Sequence, residues 1–214
     1  MVAIAGGHGK IALQLTRRLS GRGEAVVGLI RKPEHADDVR AAGGRPVMCD
    51  LEVAGVPEIS AVVTGASTVV FAAGAGSGSG AARKLTVDRD GAVKLLKAAV
   101  EAHVPRYLMI SAVGAESPPE GSDVFGVYLR AKAEADAALQ ASDLAWTIVR
   151  PGRLTDEPGT GRVRVQLEPF RGEIRRADVG AVLDALLARE DAARRILYLN
   201  GGETPVEDAL HAVL

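Results

Sequence analysis

The sequence predicts an α/β fold, a doubly wound and mostly parallel sheet in one domain, and three observations predict it. Val2 to Lys32 reads as an apolar run, a glycine turn, an amphipathic helix and a second apolar run. Beyond it, short buried-strand runs keep alternating with stretches of helical period, the pattern of repeated βαβ units. The length of 214 residues suits one such unit, and 47% hydrophobic with 25% charged residues is an ordinary globular composition.

Val2-Ala3-Ile4-Ala5 is the first strand, followed at once by Gly6-Gly7-His8-Gly9-Lys10-Ile11-Ala12. Ile11, Leu13, Leu15 and Leu19 then recur among Gln14, Arg17 and Arg18, which predicts a helix stopped by Gly21-Arg22-Gly23. Ala25 to Ile30 is a second strand, Glu34 to Ala42 a helix ending at Gly43-Gly44, and Arg45 to Cys49 a third strand. Pro57 to Val63 reads as a short helix with Pro57 in its first turn, and Thr68 to Ala73 as a buried strand. Gly74 to Gly80 consists of Gly, Ala and Ser alone, which predicts a mobile loop. Arg83 to His103 carries Val87, Leu95, Leu96 and Val100 at helical spacing, with Pro105 at its exit. Arg106 to Ser111 is the next strand, Glu116 to Ser122 a Pro/Gly/Ser loop, Val124 to Ser142 a helix, and Trp146 to Val149 a strand. In the remainder, Arg162 to Leu167 alternates as a strand and Asp178 to Arg189 forms a helix capped by Asp178. Ile196 to Leu199 is a last strand and Pro205 to Val213 a closing helix. Residues 153–214 are too few for a large second domain, so they are expected to add only a very small substrate region with a shallow cleft.

The opening strand, turn and helix suit a dinucleotide. Glycines let the backbone approach a pyrophosphate, and the first amides of the helix face its negative charge. Two registers fit, Gly7-x-Gly9-x-x-Ala12 and Gly6-x-x-Gly9-x-x-Ala12; both place the site at Gly6, Gly7, His8, Gly9, Lys10 and Ile11. His8 itself reads as a solvent-facing loop residue without chemistry. An NAD site puts an acid after the second strand to accept from the ribose hydroxyls, whereas here the strand runs into Arg31-Lys32. A guanidinium can grip a 2′-phosphate through two bonds and stack on adenine, with Lys32 as a second charge, so NADP(H) is the expected cofactor. Asp50-Leu51, after the third strand, is expected near the adenine, with Asp50 either bonding its amine or capping a turn. Ala72, Ala73 and Gly74 are small enough for the backbone to run beside the cofactor.

The net charge of −1, with Arg17/Arg18, Arg175/Arg176 and Arg194/Arg195 scattered, gives no basic stripe for nucleic acid or an anionic membrane. Aromatic content of 3% argues against a stacking platform for bases or flavin. Cys49 is the sole cysteine, so no internal disulfide forms, and it is expected to pack at a strand end. Histidines 8, 35, 103 and 211 lack metal-ligand spacing, so no metal is expected. No apolar run approaches a membrane span and no signal-peptide pattern opens the chain, which leads to a cytoplasmic expectation.

Tyr128 and Lys132 are four apart on a predicted helix and project from one face, toward the strand end that carries Ser111. A phenol beside an ammonium has its pKa lowered and can protonate a carbonyl oxygen that receives hydride, while a serine hydroxyl holds that oxygen. Lys132 can also bond the nicotinamide ribose. Packing of Tyr128 on its neighbours with a solvated Lys132 explains the spacing equally well.

Taken together the motifs resemble the atypical branch of the short-chain dehydrogenase/reductase superfamily, and are similar to NmrA-like and biliverdin-reductase-B-like NAD(P)-binding proteins. The resemblance spans nearly the whole chain. It is carried by Gly6 to Ala12, Val87-Asp88-x-x-Gly91, Ile110-Ser111, Tyr128-x-x-x-Lys132-Ala133-x-x-Asp136, Ile148 to Leu154 and Ile174-x-x-Ala177-Asp178-Val179. It implies a Rossmann sheet of seven or so strands, NADP(H) as ligand, Ser111, Tyr128 and Lys132 as the catalytic set, and Pro151, Gly152 and Leu154 against the nicotinamide. The function expected is NADPH-dependent reduction of a small carbonyl, quinone or similar unsaturated molecule, by a monomer or homodimer. A non-catalytic, redox-sensing NADP(H)-binding protein of NmrA-like type is the alternative. Epimerisation or dehydration of a nucleotide sugar with tightly held cofactor is disfavoured by the short C-terminal part.

Overall fold

The computed structural model describes residues 1–76 and 78–214, so the loop predicted over Gly74 to Gly80 lies partly outside the described residues, at Ser77. At the centre stands β1 (Val2–Ala5), buried at all its residues, between β2 (Val26–Ile30) and β4 (Thr68–Phe71), both parallel to it. A parallel strand covered by helices on both faces must be apolar on both, which is why these strands read as continuous runs. Val2 and Ile4 point into one core, with Ile11, Leu15 and Leu19 of α1 (Lys10–Gly21) and Val179, Val182 and Leu186 of α7 (Arg176–Leu187). Ala3 and Ala5 point into the other, with Ile59 and Val63 of α3 (Val56–Val63), Leu95 and Leu96 of α5 (Ala92–Glu101) and Leu139 of α6 (Val124–Gln140).

The sheet runs β3 (Arg45–Met48), β2, β1, β4, β5 (Arg106–Ile110), β6 (Ala145–Pro151), β10 (Arg195–Gly201), then β8 (Arg162–Gln166) and β11 (Thr204–Pro205). The first seven are parallel, β8 runs antiparallel to β10, and β11 antiparallel to β8. The doubly wound Rossmann order is therefore present, with its reversal of winding between β1 and β4. Each margin strand carries a proline, Pro46 in β3 and Pro205 in β11.

Three features depart from the sequence expectation. The helix expected over Arg83 to His103 is instead a composite: a short α4 (Ala81–Arg83), a π-helical segment Lys84–Gly91, then α5. Two three-residue strands, β7 (Arg153–Thr155) and β9 (Glu173–Arg175), pair in parallel as a separate ribbon that carries the chain past the sheet ends. Asp178 does not cap its helix. The cap position is Arg175, and Asp178, in the first turn and 1% exposed, accepts from the backbone amides of Thr160 (3.2 Å) and Gly161 (2.8 Å), pinning the loop before β8. The last helix is α8 (Val206–His211), and a 3₁₀ turn Pro33–His35 precedes α2 (Ala36–Ala41). Among the described residues no helix is long and apolar enough to cross a membrane, and no group of His, Cys, Asp and Glu is arranged to hold a metal.

Candidate functional site

Where winding reverses, the ends of β1 and β4 leave a crevice, and the glycine turn fills its floor. Gly6 has φ +76°, and a Cβ there would lie 2.6 Å from the Ala73 Cα, on backbone that cannot yield. Gly7 serves a different purpose: its missing Cβ lets the turn close onto Gly28 of β2, whose Cα would be 2.7 Å away. Gly9 is the N-cap of α1, makes no side-chain cap, and donates to the Gly6 carbonyl at 2.7 Å. The opening amides of a twelve-residue helix are thus left without a side-chain acceptor, and no acid lies in its first turn. That donor set fits a pyrophosphate.

Two adjoining cavities line the crevice. The first, about 340 Å³, is bounded by Gly6, His8, Gly9, Arg31, Asp50, Leu51, Ala72, Ala73 and Gly74, among others. The second, about 300 Å³, shares Gly9 and residues 72–76 with it and adds Lys10, Ile11, Ser111, Tyr128, Lys132 and Leu154. Four residues expected at the site are outside both linings. Gly7 packs as described, and Lys32 turns toward Glu34, with the ammonium 3.4 Å from its carboxylate. Pro151 is buried in β6, and Gly152 is crowded by Asn200 and the Gly172 carbonyl, so of that stretch Leu154 alone reaches the cleft.

In the first cavity Arg31 is exposed and pairs with no carboxylate among the described residues. His8 is not idle: its ring stacks on His35 at 3.9 Å between centroids, 4° from parallel, and its Nε2 is 2.7 Å from Asp38. Burial, then the neighbouring His8, holds His35 below the ordinary histidine range. Asp50 accepts from the Glu52 amide at 2.9 Å while lining the cavity, so it caps a turn without leaving the site. Cys49 lines the cavity as well as packing, and burial raises its thiol pKa. Arg83 and Glu52 close the far wall with an ion pair at 2.6 Å.

In the second cavity the Lys132 ammonium is 4% exposed, donates to the Ile110 carbonyl at 3.1 Å and lies 3.3 Å from Asp88. Burial pulls its pKa down, but Tyr128, Asp88 and Asp136 outweigh that and leave it above the ordinary lysine value. Its nitrogen stands 5.8 Å from the Tyr128 ring centroid. Tyr128 departs from expectation: burial raises its phenol pKa, and the opposing charge of Lys132 does not reverse the shift. Ser111 is 2% exposed and donates to Asp136 at 2.7 Å; Asp136 also accepts from Arg150 at 2.9 and 3.1 Å, and Arg150 donates to the Tyr198 hydroxyl at 2.7 Å. The serine is therefore tied into a buried ion-pair network behind the cavity. Lys10 and Arg176 reach the rim and share Asp156 at 2.5 and 2.7 Å. Sequence reasoning did not single out Lys84, Asp88 and Arg176 as lining residues; the one signal was Asp88, inside Val87-Asp88-x-x-Gly91.

The family model described as NAD(P)H-binding matches residues 6–190. The chain belongs to the NAD(P)H-binding family. Its match begins at the turn that floors the crevice. An uncharacterized sugar epimerase, YhfK, of Bacillus subtilis is 36% identical over 211 residues, covering 98% of each chain. Among solved structures, a protein of Bacillus halodurans classed as an NAD-dependent epimerase/dehydratase superposes with a TM-score of 0.92 at 32% identity over 99% of both chains. The oxidoreductase ylbE of Lactococcus lactis gives 0.86 at 25% identity, over 99% and 96%. The NAD(P)H-binding assignment and these neighbours agree with the atypical short-chain dehydrogenase/reductase resemblance carried by the motifs. Relatives of this same length bear epimerase names, so the short C-terminal part does not by itself set epimerisation aside.

Proposed function

We propose that the protein is an NADPH-dependent reductase of a small carbonyl, quinone or similar unsaturated compound. The observation that carries the reading is Tyr128 beside Lys132 in the cavity next to the uncapped start of α1. When bound, the reduced dinucleotide supplies a hydride to the electrophilic carbon of the substrate. Gly6, Gly9, Lys10 and Ile11 would hold its pyrophosphate and Leu154 its nicotinamide end. Arg31, just past β2 and without a carboxylate partner among the described residues, would take the 2′-phosphate, with Asp50 and Leu51 beside the adenine.

The substrate oxygen, as it gains electrons, takes the phenolic proton of Tyr128. The phenol carries its proton at neutral pH, and because burial disfavours the phenolate, the charged Lys132 is the group that must stabilise it until solvent reprotonates it. Ser111 anchors the carbonyl in this reading, which requires its hydroxyl to turn from Asp136 to the substrate.

The test offers aldehydes, ketones and quinones to the protein with NADPH and follows the loss of reduced-nicotinamide absorbance. Turnover that falls about a hundredfold or more in Tyr128→Phe supports the assignment. Tight NADPH binding without oxidation by any compound would replace it with the redox-sensing alternative.

A further inference from the structure

Lys84 and Tyr128 are common to the cleft and to a third cavity of about 320 Å³, which is completed by Gly78, Ser79, Val124 and Phe125 and includes none of the glycine turn. This third cavity therefore meets the cleft at Lys84 and Tyr128, on the side away from the glycine turn. Lys84 is 9% exposed, its ammonium donates to the Gly76 carbonyl at 2.8 Å, and it stands 5.3 Å from the Tyr128 ring centroid. An ammonium has three donors, and this carbonyl uses one.

The other cations lining the second cavity are compensated. Lys132 has Asp88, while Lys10 and Arg176 share Asp156. Among the described residues no carboxylate pairs with Lys84. A nearly buried charge without a counter-ion is costly, and an incoming anion relieves that cost. Next to it the surface changes character: Val124 is 45% and Phe125 63% exposed, and the Phe125 ring lies 6.0 Å from that of Tyr128. An ammonium and an exposed apolar shelf therefore flank the same phenol.

We propose that the substrate is an anionic aryl carbonyl compound, its flat apolar body on Val124 and Phe125, its carboxylate on Lys84 and its carbonyl at Tyr128. The proposal rests on the reductase reading above and adds the class of molecule reduced. Lys84 is assigned to substrate recognition, not to proton transfer.

The experiment compares phenylglyoxylate with its methyl ester as NADPH oxidants, in the native protein, Lys84→Met and Lys84→Arg, with the melting temperature of each variant recorded. The acid-to-ester ratio of kcat/KM cancels any general damage to the site. It is expected to fall about tenfold or more in Lys84→Met, chiefly through KM, and to stay within about threefold in Lys84→Arg, since a charge-assisted bond is lost in one and kept in the other. In a second arm benzoate is titrated calorimetrically into the NADP⁺-saturated protein, and Lys84→Met should weaken it to a similar degree. A ratio unmoved by Lys84→Met, with both compounds still reduced, overturns the substrate class and leaves the reductase reading standing. If neither compound oxidises NADPH, it is the reductase reading that falls for this class. Benzoate heat that is indifferent to Lys84→Met then overturns the anion site, and heat that is lost upholds it.

Discussion

Replacing Gly6 with Ala isolates the turn on which the dinucleotide reading depends. The added Cβ would stand 2.6 Å from the Ala73 Cα and 2.8 Å from its nitrogen. Reaching an ordinary contact of 3.4 Å means a retreat of about 0.8 Å by one of two backbones, each held just past the end of a central strand. The residue must also keep φ +76°, which costs an L side chain about 1–2 kcal/mol. With about 1–3 kcal/mol for the overlap, the expected loss of stability is about 2–5 kcal/mol. At a urea m-value of about 2 kcal/mol/M that lowers the unfolding midpoint by about 1–2.5 M. Because Gly9 donates to the Gly6 carbonyl, the shift reaches the start of α1, and an amide-to-phosphate bond of about 2.9 Å lengthened by about 0.8 Å is no longer a bond. NADPH affinity by calorimetry should fall at least about tenfold, the worth of one charge-assisted bond. Gly21→Ala is the control, since a Cβ at that helical position meets nothing within 4 Å, and it should stabilise by about 0.5–1 kcal/mol. A Gly6→Ala protein with native midpoint and native NADPH affinity would falsify the account of the turn.

Arg31→Ser should weaken NADPH about tenfold while leaving NADH within about twofold in parallel titrations; equal losses for both would remove the 2′-phosphate role. Asp136→Asn removes the nearer of the two carboxylates facing buried Arg150, leaving only Glu116 at 3.5 Å, and should cost about 3 kcal/mol in urea unfolding, whereas a loss under about 1 kcal/mol would show that the network is not tightly coupled. Burial raises the Tyr107 pKa above 10.0, so above that pH the unfolded chain releases a proton that the folded one keeps. Stability is therefore full below pH 10 and falls by about 1.4 kcal/mol per pH unit above it for this residue, a slope that Tyr107→Phe should remove from denaturation curves taken across alkaline pH.

The first half of the fold was legible because its physics is local. Apolar runs buried on both faces, a helix whose apolar stripe repeats along Ile11, Leu15 and Leu19, and glycines between them leave little choice. The parts that escaped have no local signature. β7 and β9 are too short for alternation to register, and each exists because the other is alongside. The π-helical segment differs from an α-helix in its bonding partner, not in its pattern of apolar residues. Of the residues that line the two cavities, Gly6, Gly9, Tyr128 and Lys132 could be read from spacing. The Asp136–Arg150–Tyr198 network joins α6, β6 and β10, elements separated in sequence, and no window along the chain contains it. The phenol pKa failed for a related reason, since spacing gives the lysine that lowers it and not the burial that raises it.

Pro46 and Pro205 sit on the two outermost strands of the sheet. Proline has no amide hydrogen, so each border lacks a donor where another chain would have to knit itself on. With both borders interrupted in this way, edge-to-edge joining of copies into ribbons of stacked molecules is opposed at Pro46 and at Pro205.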